Sequence, residues 1–224
     1  MNTTLAFDIY GTLIDTHGVV TALRQHVGDQ ALHFSQIWRD KQLEYSFRRG
    51  LMHVYQDFSV CTRQALDYVC QLLQVDIPIQ DRQVLMDNYR LLPAFDDVSG
   101  GLERLHAAGH KMVAFSNGLS VDVRQLLEHA GLMVHLDGII SVDEINSFKP
   151  DPAVYAHFLK QTRTQIDDIW LISSNPFDVL GAHAVGWRTV WVRRDTKTVF
   201  DPWGVEPSAV VSHLSELIDI VSKP

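Results

Sequence analysis

The sequence is poor in several features that mark other classes of protein. Cysteine occurs only twice, as Cys61 and Cys70, which excludes a disulfide framework, and the spacing of the two residues does not match a zinc site. No apolar run approaches the roughly 20 residues that a membrane-spanning helix requires. The 19 basic residues are outnumbered by 27 acidic ones, and a net charge of −8 argues against a protein that binds duplex nucleic acid.

The opening segment, MNTTLAFDIYGT, has neither a basic stretch nor a long apolar run. We therefore expect no signal peptide. Together with the two cysteines, this predicts buried, reduced thiols in a cytoplasmic protein.

What the sequence does contain is the composition of a globular protein. Hydrophobic residues make up 46% of the chain and charged residues 21%, which excludes a disordered or fibrous chain. A length of 224 residues is enough to bury a full core without disulfides or a structural metal. This length predicts one large domain, or one core with an inserted segment.

The spacing of apolar residues changes along the chain. A short apolar strand at residues 5–7 is followed by helical spacing throughout residues 16–97, where we predict no strand. Strands and helices then alternate, which is typical of a parallel sheet covered on both faces. We predict strands at 111–115, 138–141, 168–172 and 189–192, and helices at 101–108, 121–130, 151–160, 178–185 and 214–221.

This alternation predicts an α/β protein with a Rossmann-like parallel sheet. Residues 1–15 and 98–224 are predicted to form the α/β core, and residues 16–97 a helical subdomain inserted after the first strand. Ligands of such sheets bind beyond the carboxyl ends of the strands, so we expect the functional residues there.

Polar side chains do stand where the predicted strands end. Asp8 ends the first strand, Ser-Asn-Gly at residues 116–118 ends the next, and Lys-Pro-Asp at residues 149–151 follows the third. Ser-Ser-Asn at residues 173–175 ends the fourth, with Asp178 just beyond. Each motif alone is typical of a turn or a helix cap. Four of them at one edge of a sheet predict a site in a single crevice.

The segments that carry these residues, FDIYGTL, FSNG, SFKPD and ISSNPFD, resemble the four signature segments of the haloacid dehalogenase superfamily. The stretch WRDKQLEY, residues 38–45, resembles the cap helix of the L-2-haloacid dehalogenases within that superfamily. The resemblance covers nearly the whole chain and implies that the helical insertion is a cap over the core. It also implies hydrolysis of (S)-2-haloacids to (R)-2-hydroxyacids through an ester intermediate.

The resemblance implies a role for each residue of the site. Asp8 would attack carbon and form the ester, and Lys149 would hold Asp8 ionised and oriented through its nearby charge. Other residues would bind the carboxylate of the substrate or receive the leaving halide. The carboxylate donors are Ser116 and the backbone N–H groups around Tyr10 and Gly11, and the groups that receive halide are Arg39, Asn117 and Phe177.

A further set of residues would position these groups and shape the site. Thr12, Tyr155, Ser173 and Asn175 would position Asp8, Lys149 and the hydrolytic water, and Tyr155 is also counted among the substrate-binding residues. Asp178 would help to activate the water. An apolar wall would exclude bulk water and so strengthen the charge interactions inside; it consists of Tyr10, Leu43 and Phe58.

One position separates reaction types. Phosphatases of the superfamily carry a second Asp two residues after the nucleophile, and this chain has Tyr10 there. With Lys149 and Arg39 supplying positive charge, we expect no metal and no other cofactor. Taken alone, the helix pattern would leave Arg39 solvated on an outer face. Its neighbour Asp40 would repel halide or neutralise Arg39 if it faced the pocket, and would be harmless if it faced solvent.

Two alternatives stay open on the sequence alone: a phosphatase of this superfamily that acts on a small phosphate ester, and a non-catalytic member that binds a small acid. Tyr10 counts against the first, and the intact set of Asp8, Lys149 and Asp178 against the second. The expected partners are a small halogenated carboxylic acid and water, with no nucleic acid and no membrane. The resemblance also implies a homodimer.

Overall fold

The structure, a computed structural model, describes residues 3–222. Residues 1–2 and 223–224, the two ends of the predicted core, lie outside the described residues. Between residues 3 and 222, no helix is both long enough and apolar enough to cross a membrane.

A parallel sheet of six strands lies at the centre of the described chain. Its strands are β1 (Thr4–Phe7), β2 (Lys111–Ser116), β3 (Gly138–Ser141), β4 (Ile169–Ser173), β5 (Arg188–Val192) and β6 (Ala209–Val211). Their order is β3-β2-β1-β4-β5-β6, and every neighbouring pair is parallel. The predicted α/β architecture is therefore confirmed. Because β1 lies between β2 and β4, the residues that follow these strands meet at the middle of one edge.

The strands are short apolar runs because both faces of the sheet are covered. Every residue of β1 and of β4 is buried, as expected for parallel strands between two layers of helices. The sequence pattern does not predict β6, because its three residues are too few to show a period.

The chain between β1 and β2 begins with a helical insertion. Its helices are α1 (Val20–Val27), α2 (Ala31–Met52), α3 (Phe58–Leu72) and α4 (Ile79–Asn88). Trp38 of α2 is fully buried, and its indole N–H donates to the Thr62 carbonyl of α3 at 2.8 Å. The Trp38 ring also meets the Tyr89 ring edge-on, with centroids 5.0 Å apart. These contacts give the inserted helices a common interior.

The remaining helices flank the sheet. They are α5 (Val98–Ala107), α6 (Ser120–His129), α7 (Pro152–Thr162), α8 (Pro176–Ala184) and α9 (Leu217–Val221). Short 3₁₀ turns occur at Thr16–Val19, Gly28–Gln30, Met133–His135, Val142–Ile145, Ile166–Asp168 and Leu214–Glu216. The last turn takes up the first residues of the predicted C-terminal helix, so α9 is shorter than predicted.

Two short segments that lie side by side join the insertion to the core. The Asp15 N–H donates to the Pro93 carbonyl at 2.8 Å. Arg194, just after β5, donates to the Thr12 carbonyl at 2.7 Å and to Asp97 at 2.6 Å. The guanidinium thus ties the outgoing and returning segments together, close to the carboxyl end of β1.

Candidate active site

Asp8 follows β1 directly and is only 8% exposed. Its Oδ2 accepts hydrogen bonds from the Thr12 hydroxyl at 2.7 Å, the Asn175 amide at 2.7 Å and the Ser173 hydroxyl at 3.1 Å. Its Oδ1 accepts, among residues 3–222, from the Lys149 ammonium alone, at 3.3 Å. The two oxygens therefore differ, because Oδ2 accepts from three donors and Oδ1 from one.

Lys149 lies in the loop between β3 and α7 and is 1% exposed. Its ammonium donates to Asp178 Oδ2 at 2.7 Å, to the Phe115 carbonyl at 2.8 Å and to Asp8 Oδ1 at 3.3 Å. An ammonium has three N–H donors, so every one of them has an acceptor. A buried cation that is fully hydrogen-bonded and shared by two carboxylates is held in one place.

A turn after β4 holds the residues that contact Asp8. The Ser174 N–H donates to Thr12 Oγ1 at 2.8 Å, which directs the Thr12 hydroxyl proton to Asp8. The Ser174 hydroxyl donates to the Gly11 carbonyl at 2.7 Å, and Gly11 has a φ of +85°, a conformation that favours glycine. The Gly11 N–H donates to the Ile14 carbonyl at 2.8 Å. Gly11 is therefore not the free donor for a substrate carboxylate that the sequence predicts.

Asp178, in the first turn of α8, is fully buried. Its Oδ2 accepts from Lys149, and its Oδ1 accepts from the Tyr155 hydroxyl at 2.8 Å. Burial raises the pKa of Asp178 to about 6, with Lys149 opposing the rise and Asp8 adding to it. Asp178 is thus a carboxylate that can take up a proton near neutral pH.

Tyr155 does not lie where the sequence predicts a substrate-binding residue. It is fully buried, and its ring meets the rings of Phe115 and Trp187 at centroid distances of 5.7 and 5.3 Å. Its hydroxyl donates to Asp178, which is itself fully buried. Tyr155 therefore supports Asp178 from behind and does not line a cavity for substrate.

Arg39 reaches the site from α2. Its Nη1 donates to Gln42 Oε1 at 2.7 Å and its Nη2 to the Tyr10 carbonyl at 3.4 Å. Burial of the guanidinium lowers the pKa of Arg39 from its ordinary value, against the opposing effect of nearby acids. Asp40 is exposed and accepts from the Gln36 amide at 3.0 Å. Arg39 therefore turns inward while its acidic neighbour turns to solvent.

The Tyr10 backbone carries a carbonyl and an N–H of different character. The carbonyl accepts from Asn175 Nδ2 at 3.1 Å and from Arg39 Nη2 at 3.4 Å. The N–H donates to none of the described residues. The Tyr10 N–H is thus a free donor at this edge of the sheet.

Within residues 3–222, no three His, Cys, Asp or Glu side chains are grouped so that they could hold a metal ion.

The turn after β2 presents Ser116 and Asn117, both buried. Ser116 Oγ accepts from the Gly118 N–H at 3.1 Å, and within the described chain its own proton has no acceptor. Asn117 Oδ1 accepts from the Lys149 backbone N–H at 2.9 Å, which fixes the amide and leaves its NH₂ group free to donate. The turn therefore holds a hydroxyl and an amide N–H that can bind anions.

Aromatic and aliphatic side chains close the site on the side of the insertion. The Phe58 ring, 5% exposed, lies 6.2 Å from the Tyr10 ring. Phe177, at the start of α8, meets Phe47 of α2 edge-on at 4.9 Å. Leu43, one turn before Phe47, is half-buried in the same region. The wall predicted from Tyr10, Leu43 and Phe58 is apolar and joins insertion to core.

An open cleft of about 460 Å³ borders this site. Arg39, Asn175, Gly11 and Ser174 are among its lining residues. The Arg39 side chain is therefore open to solvent from this cleft.

Three residues of the site escape sequence reasoning: Gln42, Phe47 and Ser174. Phe47 shares an apolar stripe with Leu43, which predicts helix packing rather than a site. Ser174 stands beside two predicted residues, and its part shows only in its contacts with Thr12 and Gly11. Gln42 lies in the segment WRDKQLEY, but the sequence does not say whether its side chain is buried or which residues it contacts.

Comparisons with known proteins agree on one family. The chain matches the haloacid dehalogenase-like hydrolase family over residues 3–186. It is 35% identical to an (S)-2-haloacid dehalogenase from Pseudomonas sp. (strain YL) over 216 residues, 96% of this chain and 93% of that protein. A crystal structure of a dehalogenase matches with a TM-score of 0.94 at 32% identity, covering 100% of this chain and 98% of that one.

A further solved structure is similar over almost the whole chain. It is the L-2-haloacid dehalogenase from Xanthobacter autotrophicus with chloropropionic acid covalently bound, with a TM-score of 0.90 and 30% identity, covering 99% of this chain and 98% of that one. The resemblance of the signature segments is thereby confirmed. The chain belongs to the haloacid dehalogenase-like hydrolase family.

Proposed function

We propose that this protein hydrolyses (S)-2-haloacids to (R)-2-hydroxyacids, with Asp8 as the nucleophile. The observation that carries the proposal is the asymmetry of the Asp8 carboxylate, in which three donors hold Oδ2 while Oδ1 faces Lys149 at 3.3 Å. The relative named (S)-2-haloacid dehalogenase and the solved relative with covalently bound chloropropionic acid support the same reaction.

In the first half-reaction, Asp8 Oδ1 attacks carbon 2 of the substrate from the side opposite the halogen. A carbon–oxygen bond forms, the carbon–halogen bond breaks, and its electron pair leaves with the halide, which inverts carbon 2. The Ser116 hydroxyl and the Tyr10 N–H bind the substrate carboxylate. The halide is received by the Arg39 guanidinium, the Asn117 amide and the edge of Phe177.

In the second half-reaction, water attacks Cγ of the Asp8 ester. Negative charge then develops on Oδ2, and the donors already in place on that oxygen, Thr12, Ser173 and Asn175, stabilise it. The Cγ–Oδ1 bond breaks, and the hydroxyacid leaves with Oδ1. One water proton goes to the departing alkoxide. For the other, Lys149 gives one of its own protons to Asp178 and takes the water proton in its place, and Asp178 then loses its proton to solvent.

The magnesium chemistry of the superfamily's phosphatases does not fit these residues. In those phosphatases the backbone carbonyl two residues after the nucleophile helps to bind magnesium, and here that carbonyl, of Tyr10, accepts from Asn175 and Arg39. The second Asp, whose side chain is the general acid and base of those phosphatases, is replaced by a tyrosine. Burial raises the pKa of the Tyr10 hydroxyl, which makes it a poor general acid. Lys149 and Arg39 place positive charge on both sides of Asp8. No step of the proposed reaction uses a metal.

Dialysis against EDTA is therefore expected to leave dehalogenation unchanged. The reason is that the positive charge the reaction needs comes from Lys149 and Arg39. Halide release before and after dialysis measures this, and dialysis against buffer alone is the control. Activity lost on dialysis and regained with magnesium would contradict the metal-free mechanism.

The rate of turnover is expected to fall as pH falls through about 6, because Asp178 then takes up a proton. Protonation removes one of the two negative partners of Lys149 and the acceptor of the water's proton. Below this pKa the rate should fall about tenfold per pH unit. The groups that face Asp178 are Lys149, Asp8 and Tyr155. Of these, Asp8 and Lys149 take part in the proposed reaction.

The pH dependence of kcat for wild type and Asp178→Asn measures this assignment. The variant is neutral at every pH, so it should be slow throughout and should lose the acidic limb near pH 6. An acidic limb that persists in Asp178→Asn would assign the titration to another group.

The reaction itself is tested by chloride release from (S)-2-chloropropionate, assayed beside cleavage of p-nitrophenyl phosphate. Chloride release with (R)-lactate as the product is the expected result, because a single displacement inverts carbon 2. The (R)-substrate serves as the control and should be inert. Phosphate release without chloride release would favour a phosphatase, and neither activity would favour a protein that only binds.

We further propose that residues 16–97 act as the cap, and that the protein is a cytoplasmic homodimer. The cap is supported by Arg39, which comes from α2 and reaches Tyr10 of the core.

The free, buried thiols of Cys61 and Cys70 support a reducing compartment. Exposed apolar side chains at the end of α2, Leu51 and Met52, support a second copy as partner. Light scattering of the purified protein measures the oligomeric state.

A further inference from the structure

Gln42 is a buried polar residue that contacts the halide-receiving arginine. It lies one turn after Arg39 on α2 and is only 1% exposed. Its Oε1 accepts from Arg39 Nη1 at 2.7 Å. The other hydrogen bond of the guanidinium, to the Tyr10 carbonyl, is longer at 3.4 Å. Gln42 is therefore the closer of the two groups that fix the guanidinium.

The orientation of the Gln42 amide is set by its partners. A guanidinium only donates hydrogen bonds, so the amide oxygen must face Arg39 and the NH₂ group must face the other way. There, Gln42 Nε2 donates to Thr62 Oγ1 at 2.5 Å, and the Thr62 hydroxyl donates to the Phe58 carbonyl at 2.8 Å. Arg39 therefore donates to Gln42, Gln42 to Thr62, and Thr62 to the Phe58 carbonyl. Each of these hydrogen bonds fixes the orientation of the next group.

The charge of the partner matters as much as its position. Gln42 is neutral, so it holds the guanidinium without cancelling the positive charge that a leaving halide needs. The acidic neighbour on α2, Asp40, is turned to solvent and bonded to Gln36. Arg39 thus has a neutral acceptor inside, while the carboxylate of its neighbour in the sequence lies outside.

We propose that Gln42 is a positioning residue that holds the Arg39 guanidinium for the departing halide, and that it determines how well a poor leaving group is displaced. The proposal rests on the function proposed above. Chloride is a poorer leaving group than bromide and depends more on stabilisation by Arg39. Loss of Gln42 should therefore slow the chloride substrate more than the bromide substrate.

The test compares (S)-2-chloropropionate with (S)-2-bromopropionate in wild type, Gln42→Met and Gln42→Glu. Halide release in a single turnover, with enzyme in excess, isolates displacement from ester hydrolysis. For Gln42→Met, which nearly preserves volume, the chloride rate should fall about 10- to 100-fold, the usual effect of losing one hydrogen bond to a charged group. The bromide rate should fall less, so the chloride-to-bromide ratio drops.

Gln42→Glu tests the second part of the argument, that the partner of Arg39 has to be neutral. The carboxylate can still accept from Arg39, but it brings a negative charge next to the leaving halide. The chloride-to-bromide ratio should therefore drop in this variant also. A ratio that stays at the wild-type value in both Gln42 variants overturns the proposal and leaves Gln42 as a structural contact between helices.

Trp38→Phe is the matched control, because it removes another buried hydrogen bond between α2 and Thr62 without touching Arg39. It should lower stability and leave the halide ratio unchanged.

Thr62→Val removes the acceptor of the Gln42 amide and should shift the ratio in the same direction as Gln42→Met, by a smaller factor. It keeps the proposal testable if a Gln42 variant does not fold. Wild type that releases neither halide would instead refute the proposed function.

Discussion

Replacing Asp8 with asparagine is expected to reduce halide release by about 10⁴-fold or more, the scale on which removal of a nucleophile acts in other enzymes. The amide has nearly the same shape as the carboxylate. It has no negative oxygen to attack carbon. Its NH₂ group cannot accept hydrogen bonds, so it loses either the three donors on the Oδ2 side or Lys149 on the Oδ1 side. Halide release at saturating substrate measures the loss, with thermal unfolding as the check that the variant folds.

Asp40→Asn is the matched control for this change. Asp40 is an exposed aspartate whose side chain contacts Gln36, so the same chemical replacement should leave turnover close to that of wild type. An Asp8→Asn variant that keeps substantial activity would contradict its assignment as nucleophile. A faster Asp40→Asn variant would show that Asp40 acts on Arg39 through space.

Loss of activity in Asp8→Asn does not separate a nucleophile from a general base, since both need the carboxylate. The two differ in the source of the new hydroxyl oxygen. In a single turnover in ¹⁸O-water with enzyme in large excess, a nucleophile gives unlabelled hydroxyacid and a labelled peptide containing Asp8. Labelled hydroxyacid with an unlabelled peptide would make Asp8 a base that delivers water to carbon.

Much of this site follows from the sequence because it depends on sheet topology. Asp8, Lys149 and Asn175 are far apart in the chain, but each follows a strand of a parallel sheet. Carboxyl ends of parallel strands share one edge, and the structure brings the Lys149 and Asn175 side chains within hydrogen-bond distance of Asp8. The apolar runs that form β1 and β4 are equally legible, because buried parallel strands have few polar residues.

What the sequence does not predict is set by tertiary contacts. From the sequence, Tyr155 could line a pocket or lie in the core, and only its hydrogen bond to buried Asp178 decides between the two. Gly11 looks like a donor at the turn, but the turn itself uses its N–H for the Ile14 carbonyl. The part played by Gln42 depends in the same way on its contacts. These are with Thr62, on another helix, and with the end of the long Arg39 side chain.

Replacing Lys149 with methionine is expected to lower both activity and stability. The change leaves Asp8 and Asp178 as buried carboxylates with no cation between them. Breaking a buried ion pair by removing one partner typically lowers the free energy of unfolding by about 3–5 kcal/mol. The rate of halide release should fall about 10²- to 10³-fold, because Asp8 Oδ1 loses the cation that holds it in place. Urea denaturation and single-turnover halide release measure the two effects.

The double variant Lys149→Met/Asp178→Asn separates these two effects. Asparagine at position 178 removes the second buried negative charge and can still accept from the Tyr155 hydroxyl, so much of the lost stability should return. Activity should not return, because Asp8 Oδ1 still lacks its cation. If the double variant regained activity together with stability, Lys149 would serve only to neutralise Asp178, and the orientation of Asp8 would have to come from the three donors on Oδ2 alone.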